Sequence, residues 1–212
     1  MNRITPASVD AYIKDLMPPR DPVLAEMEAL ASRNQIPIVG PVVGSLLFQM
    51  ATLTGASRIF ELGSAIGYST VWLARALRPG GKIYYTDGDK RNAALADDFL
   101  KRAGVRERVE ILVGDALTSF ESVSGEFDLI FNDVDKEGYP EVYHKAAGRV
   151  RVGGLFIADN VLWSGRVVDP SETGADTEGI RQFNRMLSQD ARFQTTILPL
   201  RDGVALALRL SI

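Results

Sequence analysis

The residues best equipped for chemistry gather in two short stretches, FNDVDK (131–136) and IADN (157–160). They hold two carboxylates (Asp133, Asp159), an amide (Asn160) and an amine (Lys136). Oxygen donors without histidine or sulfur suit Mg²⁺ or another hard divalent ion, which keeps further positions for water or substrate. Two acids left together repel each other, and a cation between them removes that cost. The plain alternative is a pair of surface acids beside a turn-forming Asn. Lys136 follows Asp133 by three residues, so a helical turn there faces its amine back over the same place. A lysine beside a divalent ion gives up its proton more readily, which makes Lys136 a candidate general base. Its neighbours Asp135 and Glu137 oppose that, and an ordinary ion pair with them is the other reading.

A second group surrounds the stretch RIFELGSAIGYSTVWLARA (58–76). A short apolar run ends in Glu61, a turn with Gly63 and Gly67 follows, and an apolar face then resumes at helical spacing. Strand, glycine turn and helix open a nucleotide- or cofactor-binding α/β domain. The dinucleotide fingerprint G-x-G-x-x-G is broken, because Ala65 stands where its second glycine belongs, and no G-K-[ST] phosphate loop exists. Glu61 at a strand tip repels a pyrophosphate and suits a cationic nucleoside. Asp87, 26 residues further on, ends the run KIYYTD and can accept hydrogen bonds from both hydroxyls of a ribose, or be a solvated loop acid. Asp115 sits beside an adenine edge or caps the following helix. Ser69 caps its helix, touches the cofactor, or both. Asp133 belongs to the border of this cofactor site as well as to the metal group.

Other candidates are weaker. His144, the single histidine, has no companion and reads as a helix-face residue. Trp163 and Arg166 lie in the glycine-bearing loop after Asn160, where a ring could pack on a planar substrate and a guanidinium could meet a carboxylate. Tyr68 reads as packing behind the cofactor turn.

The elements that position these groups follow from periodicity. A short helix over 8–17 is stopped by Pro18-Pro19, and Asp21-Pro22 opens a helix over 22–34. NQIPIVGPVVG (34–44) reads as non-helical, a wall or lid of a pocket, and 45–54 as helix. Strands are expected at 59–61, 82–87, 109–113, 127–132 and 155–158, with helices from 69, over 92–103 and over 140–150. The loop 161–176 is long, a helix covers 177–190, and strands at 193–200 and 203–210 are joined by a tight turn at Arg201-Asp202-Gly203. The class is therefore α/β: a doubly wound, mostly parallel seven-stranded sheet with a C-terminal antiparallel hairpin and helices on both faces. Glu61, Asp87, Asp115, Asp133 and Asp159 all fall at or just past strand C-termini, the edge where such sheets bind ligands.

With 212 residues, 46% of them apolar, the chain suits one domain, residues 1–55 forming a helical extension over it. No apolar run of 18 residues or secretory leader is visible, and zero cysteines exclude disulfides and thiolate sites, in keeping with a cytoplasmic protein. A net charge of −3 offers no global attraction to nucleic acid.

ELGSAIGYST, YYTDGD, VGDAL, FNDVDK and IADN fall in the order and spacing of the cation-dependent class I O-methyltransferases, and the chain resembles that catechol and caffeoyl-coenzyme A group over roughly residues 35–212. The resemblance implies S-adenosylmethionine as cofactor, a divalent ion, and methyl transfer to one hydroxyl of a catechol-like vicinal diol. It marks Asp133, Asp159 and Asn160 as metal ligands, Lys136 as base, Glu61, Gly63 and Ser69 as cofactor-turn residues and Asp87 as the ribose acid. It also implies a homodimer formed through the N-terminal helices. IPIVGPVVG lacks the polar pattern associated with coenzyme A-using members. Some bacterial relatives methylate a hydroxylated uridine of transfer RNA, so that acceptor remains an alternative. A non-catalytic nucleoside-binding or scaffold protein is the reading from another class, and the intact acid–amide–lysine set speaks against it.

Overall fold

Alternating apolar residues on the central strands face opposite sides of one sheet, and both sides are covered. The computed structural model describes residues 4–211. Seven strands, β1 (Arg58–Leu62), β2 (Lys82–Asp87), β3 (Val109–Val113), β4 (Phe127–Asn132), β5 (Val150–Ala158), β6 (Phe193–Leu198) and β7 (Val204–Arg209), lie in the order β3-β2-β1-β4-β5-β7-β6. β1 to β5 pair in parallel, and β7 runs antiparallel to both β5 and β6. The fold class expected from the sequence is the one observed.

Ile59, Leu129, Phe131 and Ile157 point to one side, where they pack on α2 (Pro22–Asn34), α3 (Gly40–Leu53), α4 (Tyr68–Ala76) and α5 (Lys90–Arg102). Phe60, Ile130 and Phe156 point to the other, against α6 (Ala116–Ser122), α7 (Tyr139–Ala146) and α8 (Ala175–Gln189). Burial on both faces is what parallel strands require. α1 (Ala7–Asp15) buries none of its side chains.

Four expectations change. The helix expected over 140–150 ends at Ala146 and passes through a 3₁₀ turn, and β5 begins at Val150 rather than at 155. α3 begins at Gly40, inside the segment read as non-helical; Pro41 falls in its first turn, where the missing N–H has no intrahelical partner to lose. Ile36 to Val39 alone keep the irregular wall. Part of the long loop, Trp163–Val168, winds into 3₁₀ turns, kinked where Ser164 and Gly165 adopt left-handed dihedrals. The final hairpin is joined by residues 199–203 rather than by a minimal turn, with Arg201 at φ +54° and Gly203 at φ +88°.

Strand order reverses between β1 and β4, the switch point at which doubly wound sheets open a crevice. Gly63 there has φ +83°, and a Cβ on it would lie 2.5 Å from the Asp133 carbonyl oxygen. Only glycine lets the cofactor turn and the tip of β4 come so close.

Candidate active site

A cleft of about 1260 Å³ opens over the C-terminal strand ends. That exceeds the roughly 300–1,000 Å³ of a typical single-ligand pocket and leaves room for two ligands. Its wall includes Gly63, Ser69, Asp87, Asp115, Asp133, Lys136, Asp159, Asn160 and Trp163. A smaller hollow of about 620 Å³, beside Val167, Pro170 and Arg181, carries none of these acids.

On the cofactor side, Glu61 is fully buried and, unlike the neighbouring Gly63, Ser64 and Ser69, does not itself line the cleft. Thr70 Oγ1 donates to its Oε2, while Oε1 has no partner among the described residues. Loss of hydration lifts its carboxyl to about 7, although the nearby hydroxyls of Ser69, Thr70 and Ser64 pull it down. Ser69 therefore faces Glu61 and does not cap α4, whose N-cap is the left-handed Gly67 with no side-chain cap. Gly67 stands behind the cleft wall, where a Cβ would press on Ala96 at 3.1 Å. Asp87 Oδ1 accepts from the Asp89 N–H (2.8 Å) and Asn92 Nδ2 (3.2 Å), and Oδ2 carries no such bond among the described residues. Asp115 does cap α6, accepting from Thr118 N–H and Thr118 Oγ1, both at 2.7 Å; these bonds hold its carboxyl below the usual range. Tyr68 lines the cleft and donates to Glu28 Oε1 at 2.8 Å, tying α4 to α2.

The second group is set by β4 and β5. Asn132 pairs with Ala158, so the next residues, Asp133 and Asp159, leave the sheet side by side. The Asp159 N–H donates to the Asn132 carbonyl at 3.2 Å, and Tyr139 Oη donates to the Asp159 carbonyl at 2.9 Å. Asp159 is fully buried, with Oδ1 unpartnered among the described residues. Burial and the charge of Asp133 push its carboxyl up to about 7, and burial raises Asp133 as well. Asn160 occupies φ +56°, a left-handed conformation that Asn tolerates better than most residues. Among the described residues no group of three His, Cys, Asp or Glu forms a metal site; here the third donor is an amide. A hard divalent cation fits this set, because it partners the orphaned Asp159 oxygen and cancels the repulsion between buried Asp159 and half-buried Asp133.

Lys136 Nζ donates to Asp133 Oδ1 at 2.8 Å and to the Val134 carbonyl at 3.0 Å, and lies 5.2 Å from the Tyr139 ring centre. Its turn is fixed from below by α8, where a Cβ on Gly179 would lie 2.6 Å from the Lys136 carbonyl oxygen. His144 is exposed on α7, edge-on to Tyr143 and outside the cleft. Trp163 is in the cleft wall, but Arg166 is not. Its guanidinium lies over the Trp163 ring at 5.3 Å and 4.0 Å from Glu172, so the substrate-facing arginine expected at 166 is turned away. A different arginine comes in. Arg201, on the β6–β7 connection, lines the cleft and places Nη1 3.4 Å from Asp159 Oδ2.

A family model described as O-methyltransferase matches residues 19–210. The chain belongs to this O-methyltransferase family. A catechol O-methyltransferase of Niastella koreensis is 38% identical, over 98% of this chain and 99% of that protein. Among solved structures, the O-methyltransferase TomG from Streptomyces achromogenes, in complex with S-adenosylmethionine, superposes with a TM-score of 0.88 at 33% identity, covering 96% of each chain. The O-methyltransferase from Bacillus cereus, in complex with S-adenosylhomocysteine, does so with 0.87 at 32%, covering 95% of this chain and 97% of that one.

Proposed function

We propose that this O-methyltransferase moves the methyl group of S-adenosylmethionine to one hydroxyl of a catechol-like vicinal diol, with the help of a divalent cation. The observation that carries the reading is the buried, half-partnered Asp159 carboxylate beside Asp133 in a cleft large enough for two ligands. The TomG and Bacillus cereus complexes support the donor, and the Niastella protein supports the class of acceptor.

Asp133, Asp159 and Asn160 would hold the ion, which when bound supplies a positive centre that favours ionised acceptor oxygens. The donor is a sulfonium, and its methyl carbon is the electrophile. Glu61 offers a negative charge near the cationic end of the donor, and Oδ2 of Asp87, without a hydrogen bond among the described residues, offers an acceptor to its ribose. Lys136 Nζ, delivered by its turn to the Asp133 side of the cleft, takes the proton of the attacking hydroxyl as a neutral amine and becomes the ammonium that donates to Asp133. The oxygen then bonds to the methyl carbon as the carbon–sulfur bond breaks, and sulfur departs with the electron pair as the neutral thioether. Holding oxygen, carbon and sulfur in line is where most of the rate gain arises. Trp163 gives the acceptor ring a flat wall. The reading takes two copies as the working unit, supported by the apolar stripe Val9, Tyr12 and Leu16 that α1 leaves exposed; sedimentation as a monomer would count against that part.

The test is transfer of labelled methyl to a panel of catechols with Mg²⁺ and with chelator. Chelator-sensitive transfer, lost in Asp159→Asn while donor binding persists, is the expected outcome. Transfer that ignores the chelator would overturn the role of the ion, and no transfer to any catechol would overturn the acceptor class.

A further inference from the structure

Arg201 has no task in that chemistry, yet the fold holds it where an arginine is not at ease. Its φ of +54° lies in the left-handed region that glycine or asparagine occupies with less strain. Strain kept at a ligand-binding edge points to a use for the side chain. The turn cannot swing aside. The Leu162 N–H donates to the Asp202 carbonyl and the Val161 N–H to the Gly203 carbonyl, each at 3.0 Å, and the Ser164 N–H to Asp202 Oδ1. A Cβ on Gly203 would meet Leu162 at 2.5 Å. Arg201 and the Trp163 wall are therefore parts of one clamped unit.

The guanidinium itself is underused. Its single side-chain contact among the described residues is the 3.4 Å approach of Nη1 to Asp159 Oδ2, while 43% of the side chain remains exposed. A guanidinium carries five donors in a planar fork built for carboxylates. With Asp159 and the neighbouring Asp133 committed to a dication, that fork loses the acids it faces among the described residues and stands beside positive charge. An anion on the bound acceptor would satisfy both groups.

We propose that Arg201 is a specificity determinant that receives a carboxylate carried on the ring of the diol acceptor, so that aromatic ortho-diol acids are preferred over neutral catechols. This rests on the reading under Proposed function.

The experiment compares 3,4-dihydroxybenzoate with its neutral amide, 3,4-dihydroxybenzamide, in the wild type, Arg201→Gly and Arg201→Lys. Glycine suits the turn, so the variant keeps its fold, which melting with saturating Mg²⁺ verifies. The ratio of kcat/KM for acid over amide should fall about 10- to 100-fold in Arg201→Gly, the loss expected for one charge-assisted hydrogen-bonded pair, and mostly through KM. Arg201→Lys should restore part of it, since an ammonium keeps the charge and loses the fork. Calorimetric affinity of the protein loaded with S-adenosylhomocysteine and Mg²⁺ for the acid should fall by the same factor. An unchanged ratio, or equal losses for both acceptors, overturns the role of Arg201 alone. Failure of the wild type to methylate either acceptor overturns the parent reading.

Discussion

Replacing Glu61 by Gln should make the ligand-free protein more stable and the donor bind less well. Glu61 is fully buried, and loss of hydration lifts its carboxyl from 4.5 to about 7. The folded chain thus holds that proton more tightly than the unfolded chain by about 3 kcal/mol. Below pH 4.5 the acid is protonated in both states and nothing is lost. As pH rises from 4.5 to about 7 the unfolded chain releases the proton while the folded chain keeps it, so stability falls. Above 7 the folded chain ionises too and the loss levels off. Gln keeps the shape without the charge, so the stability of Glu61→Gln relative to wild type should grow by about 2–3 kcal/mol between pH 5 and pH 8. Urea unfolding of both proteins at the two pH values measures that difference.

The opposite effect concerns function. Oε1 of Glu61 has no partner among the described residues, and the positive charge of a donor in the neighbouring cleft favours the ionised carboxylate. Removing that charge attraction, taken as about 1.5–3 kcal/mol, should weaken binding of S-adenosylmethionine about 10- to 100-fold, measured by calorimetry without acceptor. A stability difference flat in pH would refute the buried-charge argument. Unaltered donor affinity would refute the assignment of Glu61 to the donor.

Lys136→Ala should lower kcat by about 10²–10⁴-fold, the usual contribution of a positioned base, and weaken donor binding far less; turnover unaltered across pH would remove Lys136 from that role. Gly63→Ala places a Cβ 2.5 Å from the Asp133 carbonyl at φ +83°. It should cost about 2–4 kcal/mol in urea unfolding, whereas a loss below about 1 kcal/mol would mean that the cofactor turn and β4 separate easily.

What the sequence made legible and what it hid have one physical origin. In a doubly wound sheet the parallel strands all end on one edge, so an acid at the end of a strand can be placed at that edge from the sequence alone. That logic collected Glu61, Asp87, Asp115, Asp133 and Asp159, and it made Asp133 and Asp159 neighbours because β4 and β5 are adjacent. It does not say which way a side chain leaves an irregular segment. Arg166 looked as available as Trp163 in the sequence, yet the kinked 3₁₀ turns carry its guanidinium to Glu172. Likewise, the sequence left Ser69 as a cap, a cofactor contact or both, because the left-handed turn that puts Gly67 at the N-cap and Ser69 inside the helix is a backbone property. Arg201 was hidden for a topological reason. Arg-Asp-Gly between two strands reads as a hairpin turn, and so it is, but its neighbours depend on which strand of the hairpin joins the sheet. β7 inserts between β5 and β6, pairing Ala205 with Ala158. That pairing sets the turn beside Asp159, and a hairpin joined through β6 would have carried Arg201 one strand further from the cleft.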